Sequence, residues 1–599
     1  MKKSFIFFGL FLFLISGLGF FYASSQQEVP KRAPVNPAFL EYLNQVERGV
    51  YKYFSDDGHP LGYIPSPVDL SHINREVVSK YSFAAPATYD LRSTGRVTSV
   101  KDQGTCGACW AFATYGSLES WLRTGETWDF AEQYLNGEHP FDSLECVGGN
   151  AFMSDAMLTN WDGPHNESDY VYPYGYFIPY TSIEAIQVGP AQKHVQEVNW
   201  LPYDADTIKN HVMSSGAVYV YFYWDVAYYN STYDAYYYNG GPGGNHTVCI
   251  VGWDDNFDAS EFITTPSGNG AWLMKNSWGT SFGDSGYFWM SYHDSSLGGP
   301  VAFHNAEPTS NYGGIYSHDE FGWVWNFGPL GWGANMFTAT SDHSIAAVGF
   351  YTNDIGTNYS VYLYTNLTDD TNPRSGTLAT TKTGTMSFPG SHTVVLDSPV
   401  PVTNGSKFSV VIYLDQSYGN ALAVEGPSAG YSSGCTSNAK ESFYSFDGTS
   451  WTDFDTFWPD YNVLIKAFVA GTAVAVKNDF NGDGQGDILW RNYLTGQNAV
   501  WYMGDSGGGA TGLSLQGLGM MMDMGQGLGQ DKVYQDPMGI EGRYNKNVMK
   551  AYWSPMEAAG LVYQRQALEF DWKELGDAKE IRVLTEPGDG ENAELSIQA

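Results

Sequence analysis

Positive charge is scarce in this chain. Its 599 residues include 30 lysines and arginines against 65 aspartates and glutamates, a net charge of −35. So acidic a surface repels phosphate backbones and anionic lipid, which argues against nucleic-acid binding and electrostatic membrane binding. Charge of either sign is sparse, at 16% of residues. Cysteine occurs only five times, at Cys106, Cys109, Cys146, Cys249 and Cys435. Long apolar runs are missing after the first 22 residues, so no later stretch is suited to span a bilayer. Aromatic residues and glycine are plentiful (Tyr 43, Trp 19, Gly 68), as in β-rich extracellular proteins. The length exceeds one ordinary core and sets an expectation of about three domains.

The N-terminus has the layout of an export signal: Lys2 and Lys3, an uncharged apolar run from Phe5 to Tyr22, then Ala23 and Ser25. Residues 1–25 are expected to be a signal peptide cut before Gln26, or else an uncleaved membrane anchor. Either outcome exports the rest of the chain.

The stretch that organises the sequence is Gln103-Gly-Thr-Cys-Gly-Ala-Cys-Trp110. Directly after it, Ala111, Tyr115, Leu118 and Leu122 recur with helical spacing, so Cys109 is expected at a helix N-terminus, where the thiolate is favoured. Downstream come Asn245-His246-Thr-Val-Cys-Ile-Val-Gly-Trp253 and then Lys275-Asn276-Ser277-Trp278-Gly279. A cysteine nucleophile needs a base, and the base needs an orienter. With Cys106-Gly-Ala-Cys109-Trp110, these three motifs in this order make the chain similar to papain-family cysteine peptidases from about Pro86 to Tyr292.

The resemblance implies a two-lobed domain, helical on the left and a β-barrel on the right, with the site in the cleft between. It implies Cys109 as nucleophile, His246 as acid and base, Asn276 as orienter of the imidazole and Gln103 as an oxyanion donor. Trp278 would shield the His246–Asn276 bond, and Gly148 and Gly149 would pair with an extended protein or peptide substrate. It pairs Cys106 with Cys146, casts Glu132-Gln133 as structural and calls for no catalytic cofactor. Cys249 is expected as a small buried residue, while Cys435 has no evident partner. Residues 26–85, with one helical candidate at Phe39–Val50, are a short propeptide or a packed N-terminal arm. The peptidase domain is expected over 86–299, with Asp254–Gly270 lengthening a hairpin.

From 300 to 471 short runs alternate with turns, as in Lys407–Leu414, where Phe408, Val410, Ile412 and Leu414 face one way and Ser409 the other. This predicts a β-sandwich or jelly roll. It resembles the lectin-like domain found behind some prokaryotic papain-family peptidases, which implies a prokaryotic secreted or cell-surface protein. A carbohydrate or cell-surface ligand is a candidate partner. The fold class expected for the whole is α+β, the peptidase followed by the all-β sandwich.

In residues 472–504, Asp479, Asn481, Asp483, Gln485 and Asp487 place oxygen ligands at alternate positions of a glycine-rich loop, a candidate Ca2+ site. With Ile488–Asn492 and Ala499–Met503 as strands, the segment resembles one FG-GAP repeat. Residues 505–599 are rich in glycine and methionine and then acidic, with a helix-compatible stretch near Val548–Leu575.

Two other classes compete with a secreted cysteine endopeptidase. Cys106-Gly-Ala-Cys109 is also a C-x-x-C, which would suit a thiol–disulfide oxidoreductase, but that leaves Gln103, His246 and Asn276 unexplained. A catalytically silent adhesion or carbohydrate-binding protein would be expected to have lost the cysteine or the histidine.

Overall fold

The computed structural model describes residues 29–74, 85–172 and 190–471 in full, and beyond them the backbone of eight strands between 488 and 598. The signal segment and the Asp479–Asp487 loop lie outside the described residues.

Five α-helices occur among the described residues: α1 (Pro37–Glu47), α2 (Cys109–Leu122), α3 (Glu132–Gly137), α4 (Ala151–Thr159) and α5 (Ala205–Ser214). The sequence suggested one apolar face for α2, but the helix is buried all round. It runs between the strands that carry the rest of the site and α3 and α4. Its polar residues are therefore internal, and Thr114, Ser117, Glu119 and Ser120 are each bonded. Thr114 Oγ1 donates to Trp110 O at 2.9 Å, Ser117 Oγ accepts from Phe303 N at 3.2 Å, and Ser120 Oγ accepts from Ala217 N at 2.9 Å. Glu119 takes Thr98 Oγ1 at 2.7 Å and Phe130 N at 2.9 Å. Lys101 bonds Glu132 Oε1 at 2.7 Å beside it, so Glu132 is structural.

A long mixed sheet runs through Tyr312–Tyr316, Ile465–Ala470, His343–Thr352, Gly390–Val402, Lys193–Trp200, Gly298–Pro308, Val218–Phe222, His246–Asp254, Ala271–Lys275 and Tyr287–Ser291. The last four are the barrel strands expected from the sequence, with Asp254–Gly270 closing the hairpin between two of them. The sheet does not stop at the second domain. Gly390–His392 pairs with Glu197–Asn199, so the two halves share a ladder. The strand Gly298–Pro308 crosses the boundary expected at residues 299 and 300, and it pairs with Lys193–Trp200 and with Val218–Phe222.

The opposing sheet orders Thr377–Met386, Thr357–Thr365, Lys407–Asp415, Trp332–Thr338, Ser442–Ser445 and Thr452–Asp453. Phe408, Val410, Ile412 and Leu414 join the main core, as their alternation requires. The other face is also covered: Val411 packs with Ala334, Met336, Tyr364 and Phe443, and Ser409 Oγ donates to Pro373 O. Thr377–Met386 was not expected as a strand. It is threonine-rich and mostly exposed, so it has β-propensity without an apolar rhythm.

Near the C-terminus, Ile488–Arg491 pairs antiparallel with Asn498–Trp501. The stretch expected to be helical at Val548–Leu575 is instead two antiparallel strands, Val548–Trp553 and Gln566–Asp571. Val548, Tyr552 and Trp553 are β-branched or aromatic residues, which favour pleated pairing.

Candidate active site

Cys109 is the first residue of α2, and His246 opens a barrel strand facing it from the other lobe. The imidazole and Asn276 Oδ1 lie 2.8 Å apart through Nε2, and the same oxygen accepts Ser277 N at 2.8 Å. His246 Nδ1 has no hydrogen-bond partner among the described residues. Trp278 stacks on the ring, with centroids 4.3 Å apart. Gln103 is fixed at both ends of its amide. Oε1 accepts Ser277 Oγ at 2.6 Å, and Nε2 donates to Cys106 O at 2.8 Å. Its backbone is held by Ser277 O at 2.8 Å and by the Tyr172 hydroxyl at 2.9 Å. The four side chains named from the sequence thus meet in one place, as do Gly148, Gly149 and Trp278.

Cys106 and Cys146 are bonded, with S–S 2.06 Å, and Cys146 has φ +63°. This crosslink holds the turn that presents Gly148 and Gly149. A side chain at Gly149 would strike the Trp110 ring at 2.5 Å, and Gly148 has φ +139°. Cys249 is free and buried, donating to Ala113 O at 3.1 Å. Cys435 is also free and buried, donating to Asp460 O at 3.3 Å.

What the sequence reading did not specify is that the cleft is filled. The arm lays His59–Pro65 across it. Gly149 N donates to Gly62 O and Ile64 N to Gly149 O, both at 3.0 Å, a parallel bridge centred on Tyr63. Tyr63 N donates to Asn245 O at 3.2 Å. Gly62 is so close to the site that a Cβ there would lie 2.1 Å from Gly107 O. Pro60 O lies 3.5 Å from Gln103 Nε2, the donor expected to meet an oxyanion. His59 stacks on Trp278 at 4.1 Å. The signal in the sequence was Leu61-Gly-Tyr-Ile-Pro65, whose small residue sits among apolar ones.

Covered in this way, Cys109, His246 and Gln103 are all 0% exposed. Burial pushes the Cys109 thiol up to about 11, against hydrogen bonding from Thr247 and from the Thr247, Gly62 and Trp110 backbones. Burial also drives His246 down to about 3; the Asn276 bond opposes this and nearby His59 adds to it. Both groups are therefore neutral around pH 7 in this closed form. No group of three or more histidine, cysteine or acidic side chains placed to hold a metal occurs among the described residues.

Residues 85–302 match the family described as Papain family cysteine protease, and residues 315–469 match Lectin like domain. The chain therefore carries a papain-family cysteine protease domain followed by a lectin-like domain. It is similar to the cysteine protease and lectin-like domains of Cwp84, a surface layer associated protein of Clostridium difficile. That similarity has a TM-score of 0.62 and 26% identity, covering 74% of this chain and 98% of that one. The structure of the clostridial protease Cwp84 after propeptide cleavage matches with TM-score 0.58 and 27% identity, over 64% of this chain and 99% of that one. Mouse cathepsin S (Mus musculus) is 32% identical over 235 residues, 36% of this chain and 62% of cathepsin S. The viral cathepsin of Choristoneura fumiferana nuclear polyhedrosis virus is 31% identical over 220 residues, 36% of this chain and 61% of that protein. The chain thus spans somewhat under two thirds of these curated relatives. No helix among the described residues is long and apolar enough to cross a membrane.

Proposed function

We propose that this chain is a secreted or surface-held cysteine endopeptidase, latent as folded here, with residues 26–85 as its propeptide. The observation that carries the reading is the convergence of Cys109, His246, Asn276 and Gln103 in a domain matching the papain family. Once the cleft is open, Cys109 Sγ attacks the peptide carbonyl as a thiolate. The tetrahedral oxygen is held by Gln103 Nε2 and the Cys109 amide. His246 then gives its proton to the leaving amine, leaving a thioester. Water, deprotonated by His246, hydrolyses the thioester and frees Cys109.

The arm survives in the cleft because of what it presents. The Gly62 backbone amide lies at the Cys109 sulfur, and an N–H offers no electrophilic carbon. Neutral Cys109 and His246 add to the latency. The lectin-like match supports a saccharide-bearing surface as the docking partner of the second domain. Labelling with an epoxide cysteine-peptidase probe, followed by peptide mapping, tests the reading. Label on Cys109 that requires His246 and rises after arm removal is expected. A folded, arm-free protein that takes no label would make it a silent binding protein.

A further inference from the structure

We infer that the second domain holds a saccharide site at one edge of its sandwich, built to take a neutral sugar between Tyr316, His318, Lys440 and Glu441. The inference rests on the docking reading given above for that domain, and it supplies the place and the ligand class.

A cavity of about 660 Å³ lies there, lined by the edge strand Tyr312–Tyr316 of the long sheet and by Trp332–Thr338 of the opposing one. Small-ligand sites span roughly 300–1,000 Å³, so the space suits a sugar unit or two. The lectin-like match covers residues 315–469, and the lining comes from both ends of that stretch, 315–318 with 439–441 and Val469. One wall is aromatic. His318 lies flat on Phe337, with centroids 4.7 Å apart and planes 18° apart, and Tyr316 leans on the same ring at 5.7 Å. A sugar ring has a face of C–H bonds that rests on such rings and a rim of hydroxyls that needs polar partners.

Those partners are fixed in advance. The Tyr316 hydroxyl accepts Thr340 N at 2.9 Å and lies 2.8 Å from His343 Nε2, while His343 Nδ1 lies 2.8 Å from Ser341 Oγ. His318 Nε2 donates to Met336 O at 2.7 Å, which leaves Nδ1 toward Glu441 Oε1 at 3.6 Å. Asn438 N and Nδ2 steady the same carboxylate, donating at 2.9 and 3.0 Å. Lys440 is the residue that folding alone does not account for. Its φ is +73°, a left-handed conformation that suits glycine and strains a lysine. Such strain is kept where the side chain has a use. Its ammonium meets Asp370 at 2.8 Å, but that pair is exposed and contributes little to the fold. With Glu441 beside it, the chain sets a donor next to an acceptor, as two neighbouring hydroxyls of a sugar require. Charge selects the neutral class. Lys407 and Lys440 both lie against Asp370, and with Glu441 the two cations face two carboxylates, which leaves no net charge to hold an acidic glycan.

The test is calorimetric titration of the full chain with maltohexaose, cellohexaose, N-acetylchitohexaose and polygalacturonate. At least one of the neutral oligosaccharides is expected to bind. Lys440→Gly and Glu441→Gln should each raise its Kd by about tenfold, the cost of one hydrogen bond to a charged group. Lys440→Gly should melt no lower than wild type, because glycine adopts that φ freely, so binding lost there is not folding lost. Lower melting would make the lysine a folding residue and overturn its assignment. A neutral glycan held equally by wild type and both variants overturns the inference and leaves the docking reading with another site. Binding of polygalacturonate alone overturns the neutral class. No binding of any of the four overturns the inference and the docking reading together, while epoxide labelling of Cys109 reports on the peptidase separately.

Discussion

The imidazole of His59 lies flat on the indole of Trp278, 4.1 Å between centroids and 7° between planes, and the same indole carries His246. The arm therefore reaches the base of the site as well as the nucleophile. Its grip has a consequence in acid. His246 sits at about 3 in the closed form, against 6.5 for a free imidazole. A depressed value means the closed form loses stability as pH falls from about 6.5 toward 3, because opening lets the ring take a proton. A peptide spanning residues 29–74 should bind processed enzyme less tightly at pH 4.5 than at 7.5, with Kd rising by up to about tenfold per pH unit below 6.5. Calorimetric titration at the two values checks this; equal affinities would refute it.

Gly62 can be made to refuse its seat. Gly62→Val places a side chain where Gly107 O already lies 2.1 Å from the added carbon. The uncut variant should label at Cys109 far faster than uncut wild type, while its melting temperature changes little, since only the arm is displaced. Labelling as slow as wild type would show that the arm tolerates the intrusion.

Within the processed enzyme, Gln103→Ala is expected to lower kcat by roughly 10²–10³, the usual cost of one oxyanion donor. KM should move much less. Cys109→Ser should abolish turnover and leave the Cys106–Cys146 bond in place, read by non-reducing peptide mapping.

The joint between the two domains contains buried charge. Lys466 pairs with Asp319, both almost fully enclosed, and Asp155 of α4 accepts Ser391 Oγ at 2.7 Å. Lys466→Met leaves Asp319 uncompensated and should cost about 3–5 kcal/mol in urea unfolding. Burial raises Asp155 to about 7 from an ordinary 3.8. A raised carboxyl supports the fold fully below pH 3.8 and loses that support as pH climbs through 7. Asp155→Asn should therefore flatten the fall in melting temperature between pH 5 and 8.

The candidate side chains could be brought together from the sequence because each sits in a short local motif: Cys109 begins a helix, His246 begins a strand and Asn276 directly follows one. The barrel strands and about half of the sandwich strands, His343–Thr352 and Lys407–Asp415 among them, follow from β-branched and aromatic runs, whereas Trp325–Gly328 and Trp332–Thr338 do not stand out. Other features depend on contacts far apart in the chain. The occupation of the cleft by Gly62 needs Gly107 and Gly149, and the shared ladder joins Ser391 to Val198. Neither partnership leaves a periodic trace. Thr377–Met386 escaped notice for a different reason, because an exposed edge has no apolar rhythm to read. The space around the Tyr221 side chain is left by Gly244, Gly298 and Gly299, which lie far apart in the chain and are each unremarkable alone.

The second domain holds the arm on both sides of the cleft. Before the crossing, Lys31 and Arg32 pair with Gly328 and Phe327, Arg32 lies 3.9 Å over the Trp325 ring, and Phe39 meets Tyr431 edge to face. After it, His72 stacks on Tyr418 at 3.7 Å. Scission beyond residue 74 would cut neither fastening, so it would convert a tethered inhibitor into a bound peptide without evicting it. Latency would then become a matter of concentration: the severed arm stays while the protein is crowded and leaves when dilution outruns rebinding. On that footing the timing of activity is set by the volume into which the protein is released as much as by the protease that nicks it.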